Sequence, residues 1–357
     1  MPTPTKITFP ILVALAMLAA WVQYAQAALP SDDNQIIATI SVNHPANTDR
    51  AEDGDVDALI QQGKQSGDQR YFGYAEAELN RHPDPADKNW LLKKIYLLQQ
   101  RHDFEQASSM LSALMQREPA DTSLAFTQAI LFSMLGRYLD AQHNCTRAAS
   151  ALAAVTYLAC MTQATAAETE LNKRVVALEK LLAADTEAHV WERALLADAQ
   201  VRLGNSDKAE QNYLIVLTEN PLDYASRLAL ADLYLDQQRW HDAQNLTMPY
   251  AYLDSMLLRL AVAARHLTPQ NRQWEKQISE RFSADSATVS ADQLYFLTHW
   301  PQRAASPEQL ALALFQNSKS PVDIALACAA ISSAKNASPI VAWLQLTHYY
   351  DKRITLE

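Results

Sequence analysis

Glycine is scarce in this chain of 357 residues: six occur (Gly54, Gly63, Gly67, Gly73, Gly136 and Gly204), and none follows residue 204. Phosphate-cradling loops, tight hairpins and nucleophile elbows need glycine where the backbone takes positive φ or runs against a ligand. Such devices have little footing here. No serine sits in a Gly-x-Ser-x-Gly setting, so no catalytic residue is assigned. Cysteine is rarer still, three in all, with no Cys-x-x-Cys pair. The nine histidines offer no pair at the spacing of a helical zinc site, and neither a metal nor a cofactor is expected. Positive charge is also short. Thirty Lys and Arg stand against forty Asp and Glu, a net charge of −10 without a basic stripe, which argues against nucleic acid and anionic lipid as partners. The apolar run Ile7–Val22 is broken by Thr8 and Pro10 and falls short of the ~20 residues of a membrane span, so no stable insertion is expected after processing.

What is present favours helix. Hydrophobic residues make up 49% of the chain, with Ala, Leu, Gln and Glu abundant. The start reads as an export signal over residues 1–27: Lys6 supplies the positive n-region, Ile7–Val22 the apolar region, and Ala25-Gln26-Ala27 the cleavage pattern. The expected destination is the periplasm, with an uncleaved anchor or release into the medium as alternatives. Residues 28–53 lack helical periodicity and read as a leader or linker.

A period then emerges. His102–Ala107, Gly136–Ala141, Gly204–Ala209 and Gln238–Ala243 share one pattern, and their closing alanines are separated by 34, 68 and 34 residues. Extended by one step outward and into the gap, the register lands on Gly73 and Val175. Pro85, Pro119 and Pro221 fall twelve residues after Gly73, Ala107 and Ala209. A helix, a turn, a second helix and a proline-marked exit at 34 residues resembles the tetratricopeptide repeat family. The family's small residue in the first helix matches Ala129, Ala197 and Ala231, and its large residue three positions later matches Leu98, Phe132 and Tyr234. Its bulky residue in the second helix matches Leu111 and Tyr213, with Cys145 in that place in another copy. Gln200 and Thr247 depart from the pattern.

The resemblance implies an all-α solenoid of stacked antiparallel helix pairs in a right-handed superhelix. Copies are expected near 54–87, 88–121, 122–155, 156–189, 190–223 and 224–250, the first and fourth degenerate. Residues 251–357 are expected to cap the solenoid as non-standard hairpins, with helices opening at Ser306-Pro307, Ser320-Pro321 and Ser338-Pro339. The family's concave positions carry over to Asn89, Tyr96, Gln99, Phe126, Ile130, Met134, Trp191, Asp198, Arg202, Asp232 and Asp236. Their mix of aromatic, amide and acidic groups suits a neutral or basic peptide, or a helix of a protein partner. The expected role is a non-catalytic scaffold of the bacterial envelope. The alternatives are an assembly factor acting through self-association and an enzyme with the groove as its channel. Cys145 and Cys160 fall on elements that pack together, so either a disulfide or two buried thiols is open.

Overall fold

The computed structural model describes residues 55–185, 187, 189–268, 273–282, 289–300, 307–331 and 339–354. The expected signal and leader, residues 1–27 and 28–53, lie outside them. The described residues form eighteen α-helices and no strand.

Seven helix pairs follow one another: α1 (Val56–Ser66) with α2 (Arg70–Arg81), α3 (Lys88–Gln100) with α4 (Phe104–Arg117), α5 (Ser123–Met134) with α6 (Tyr138–Ala148), α7 (Ala154–Gln163) with α8 (Glu168–Ala184), α9 (Val190–Arg202) with α10 (Ser206–Glu219), α11 (Tyr224–Asp236) with α12 (Trp240–Thr247), and α13 (Asp254–Leu267) with α14 (Gln273–Arg281). Each pair packs on the next. Four helices remain: α15 (Ala291–His299), α16 (Pro307–Asn317), α17 (Pro321–Ile331) and α18 (Pro339–Thr347).

Local chemistry starts these helices. Asp55, Asp87, Asp103, Asp223 and Ser290 accept hydrogen bonds from first-turn amides. The last three helices all begin at proline, where the missing N–H costs nothing. Ser320 accepts from the Asp323 amide and donates to its carboxylate, closing the start of α17.

The repeat is written most clearly in the turns. His102, Gly136, Gly204 and Gln238, each five residues before a closing alanine, all take positive φ (58°, 71°, 74° and 59°). At each turn the next residue donates back five positions, Asp103 to Leu98, Arg137 to Phe132, Asn205 to Gln200 and Arg239 to Tyr234, at 2.8–2.9 Å. This left-handed closure satisfies carbonyls that a helix end would orphan. Glycine marks it in two copies; His102 and Gln238 adopt it against their preference. The closing alanines Ala107, Ala141, Ala209 and Ala243 have no exposed surface, nor do Ala129, Ala197 and Ala231. Two helices can approach there because no larger side chain separates them.

Two copies depart from the register. In the first, Gly73 is not the crossing residue: a Cβ built on it meets nothing within 4 Å. The crossing is at Gly63, where an added Cβ would lie 2.7 Å from Phe72, and Ala75 is the fully buried alanine of α2. In the fourth, α7 has ten residues and α8 seventeen, because the turn falls early, at residues 164–167, without a left-handed residue. Val175 is buried as a core residue of α8. The polar departures compensate one another. Gln200 is fully buried and donates to Glu179 Oε1 at 2.5 Å, and Asn205 donates to Gln200 at 2.7 Å. Gln200 and Glu179 stand at two positions normally filled by apolar side chains, and each satisfies the other. Thr247 is buried and donates to Ala243 O.

Cys145 of α6 and Cys160 of α7 are joined as a disulfide with Cα atoms 6.0 Å apart, and Cys328 is a buried free thiol.

The stack returns on itself. Tyr224 Oη donates to Gln65 O at 2.8 Å, and Gly67 packs against Tyr224 and Leu253, so the end of α1 meets the sixth and seventh pairs. The C-terminal third also differs from a simple cap. The pair α13–α14 continues the stack, and every residue from Met256 to Ala264 is buried. From α16 on the chain turns inward instead: Tyr138 of the third pair shares one apolar cluster with Leu314, Phe315, Ile324, Leu344 and Tyr349.

Candidate functional site

The first helices of the repeats, α5, α7, α9 and α11, present their C-terminal turns to one cavity of about 210 Å³. Its walls come from Met134, Thr162, Gln163, Leu195, Asp198, Val201, Arg202, Tyr213, Asp232, Leu233 and Asp236, and on the far side from Lys319–Val322 and Arg353. Repeats of one length bring equivalent helix ends together, and the returning C-terminal chain closes the space.

Arg202 organises the closure. Its side chain is 3% exposed and donates to Thr165 O at 3.0 Å, Ala166 O at 3.1 Å, and Tyr350 O at 3.0 and 3.2 Å. A guanidinium suits this task because its planar fork reaches several carbonyls at once. The Tyr349 ring lies 4.5 Å beneath it and stacks on Tyr138 at 6.1 Å. The Tyr350 amide donates to Ala166 O at 3.0 Å and the Lys352 amide to Arg202 O at 2.9 Å. The loop before α17 docks in the same way, the Lys319 amide donating to Met134 O. Gly136 and Gly204 admit this chain: a Cβ on the first would meet Trp343 at 2.5 Å, and on the second Lys352 at 2.3 Å. The positive-φ turns thus serve the repeat and clear the path of the C-terminal segment.

The cavity is acidic on its repeat side. Asp198 accepts from Tyr213 Oη at 2.5 Å. Burial pushes its carboxyl up to about 6, against the Tyr213 hydrogen bond and the charges of Arg353 and Arg202. Asp232 forms a two-pronged pair with the buried Arg259, at 2.8 and 3.0 Å, and Arg259 lies 3.6 Å from the Tyr295 ring. Asp236 makes no hydrogen bond or ion pair among the described residues. Opposite, Arg353 is held by Asp351 and donates to Pro321 O at 3.1 Å. Burial pushes the Lys319 ammonium down to about 8.

Of the eleven residues expected on the concave side, the structure brings Met134, Asp198, Arg202, Asp232 and Asp236 to this cavity. The others lie elsewhere. Phe126 and Trp191 meet each other edge to face at 5.3 Å. Tyr96 packs on Phe72 at 6.1 Å beneath Lys64. Asn89 is exposed in the first turn of α3, and Gln99 and Ile130 are half-buried. Arg202, expected to face a partner, spends its donors on the chain's own carbonyls. Nothing in the sequence points to Arg353, Lys319 or Tyr349. They lie after helices whose periodicity ends before them, and no local pattern pairs Tyr350 with a residue 148 positions away.

No three His, Cys, Asp or Glu side chains among the described residues are grouped to hold a metal ion, and no described helix is long and apolar enough to cross a membrane.

The four matching turns and buried alanines define an all-helical solenoid of tetratricopeptide-like pairs. No family model matches the chain, and no curated protein matches its sequence. Among solved structures, the chain is similar to a tetratricopeptide repeat protein from Parabacteroides merdae, at 20% identity over 72% of this chain and 97% of that one, with a TM-score of 0.38. It is also similar to the TPR domain of P58(IPK), at 10% identity over 82% and 83%, with a TM-score of 0.22. At such scores the class stands on this chain's own turn geometry and burial.

Proposed function

We propose that this chain is a non-catalytic, periplasmic scaffold of the bacterial envelope that holds a segment of a protein partner against its inner face. One observation carries the reading. The inner face already grips a non-helical piece of polypeptide through main-chain hydrogen bonds at Ala166 and Arg202 and through the Arg202 guanidinium. Main-chain bonding of this kind is available to any segment that can lie without helix along the same carbonyls and amides. A catalytic reading would draw on Asp198, Asp232 and Asp236, which share the cavity. Two of the three are engaged, Asp198 by Tyr213 and Asp232 by Arg259, whereas hydrolysis by paired carboxylates needs two that face the substrate.

The test is site-specific photo-crosslinking in cells, with the reactive group at Met134 or Asp236 on the cavity wall. A discrete protein adduct in the envelope fraction, on a chain beginning at Ala28, is the expected result. Absence of any adduct, adducts only to a second copy of this chain, or a chain retaining Met1 in the cytoplasm would each overturn the proposal.

A further inference from the structure

The segment after α18 has the anatomy of a bound peptide. From Tyr349 to Asp351 it runs without helix, its main chain bonded to Ala166 and Arg202. Two side chains anchor it. The Tyr349 ring, 8% exposed, fills a slot between Tyr138 and Arg202. Four residues later Arg353 lines the same cavity from the wall opposite Asp198 and Asp236, and its charge favours the ionised form of both carboxyls.

Resting on the scaffold reading, we propose that Tyr349–Arg353 is a built-in pseudo-ligand, and that the partner displacing it is a non-helical segment with an aromatic residue four positions before an arginine or lysine, the two joined through a turn like that at residues 351–354. Three observations set that chemistry. The slot fits a ring rather than a phenol, because Tyr349 Oη is buried with no hydrogen-bond partner, so phenylalanine serves as well as tyrosine. The carboxylates of Asp198 and Asp236 favour a cation at the fourth position and reject an acidic one. The remaining grip is on the main chain at positions 350 and 352, and the buried Asp351 between them orients the cation by accepting from the Arg353 amide and guanidinium.

A tethered ligand competes at an effective concentration of about millimolar. The intact chain therefore binds a free partner only as often as its own segment lets go, and weakening the segment raises the apparent affinity.

The probe is a fluorescein-labelled peptide with the sequence of residues 348–354, titrated into the full-length chain and followed by anisotropy. The full-length variant Tyr349→Ala/Arg353→Ala should bind it at least tenfold more tightly than the wild type. A probe carrying Tyr349→Phe should bind equally well, and one carrying Arg353→Glu should lose binding. A variant with unchanged helical signal that binds no tighter overturns the proposal. Should the variant fail to fold, the wild-type chain decides: millimolar probe should speed hydrogen exchange at the Tyr350 and Lys352 amides, and unchanged exchange overturns the proposal. Inner-face photo-crosslinks that persist when the probe neither binds nor alters exchange would preserve the scaffold reading and remove this one.

Discussion

Replacing Arg202 by methionine isolates the contact on which the inner face depends. The change keeps much of the side-chain volume over Tyr349 and removes four donor contacts to three carbonyls, at 3.0–3.2 Å. Ala166 O retains the Tyr350 amide as a donor, so Thr165 O and Tyr350 O are the two carbonyls left without their guanidinium partner. An unsatisfied buried carbonyl costs about 1–3 kcal/mol, which bounds the loss at about 2–6 kcal/mol. Two effects reduce it. Methionine needs no desolvation of a charge, which returns part of the deficit. The segment 348–354 can also swing out and let water reach both carbonyls, so the loss cannot exceed the free energy of that local opening. The expected outcome is a loss of about 2–3 kcal/mol in urea unfolding, together with faster exchange of the Tyr350 and Lys352 amides. Arg202→Lys should fall between methionine and the wild type, because an ammonium lacks the planar fork. Stability within about 0.5 kcal/mol of the wild type, with unchanged exchange at both amides, would refute the role assigned to Arg202.

Three further outcomes are expected. Thiol titration of the unfolded, unreduced chain should find Cys328 alone, and reducing the Cys145–Cys160 bridge, whose cysteines are 15 residues apart, should cost ~3 kcal/mol; three reactive thiols would contradict this. Ala141→Leu should destabilise by ~1–3 kcal/mol through overpacking at a fully buried crossing, whereas Gly73→Ala should stabilise by ~0.4–1 kcal/mol because its helix surface is open. Equal melting temperatures for the two variants would show that the crossings are misplaced. The third outcome concerns pH. Asp198 titrates near 3.8 in an unperturbed chain and is pushed up to about 6 in the fold, so between those values the folded chain holds a proton that the unfolded chain has lost. Its contribution to stability therefore falls as pH rises from about 4 to about 6 and stays low above that. Asp198→Asn should raise the melting temperature at pH 7.5 and leave it unchanged at pH 4, and the same shift at both would rule out the charge as the cause.

Sequence alone determined the helical class, the 34-residue register and the alanines at the crossings. Each follows from a local or periodic demand: few glycines, apolar positions at helical spacing, and a small residue wherever two helices meet. It misleads at Gly73, a small residue in register, because the first pair crosses at Gly63 against Phe72. The register set His102 and Gln238 in line with Gly136 and Gly204, but residue type gave no sign that they take the same left-handed turn. The site was legible only in half. Concave positions of α5, α9 and α11 could be numbered from the repeat, and five of them do meet at one cavity. What fills the face opposite them could not be read. Residues 349–353 carry no periodicity, and their partners Ala166 and Arg202 lie in the fourth and fifth pairs, far back in the sequence. Only the return of the chain onto its own repeats brings Tyr349 to Tyr138 and sets Arg353 across the cavity from the acidic wall. Such contacts depend on loop closure over a long separation, which leaves no spacing in the sequence to find.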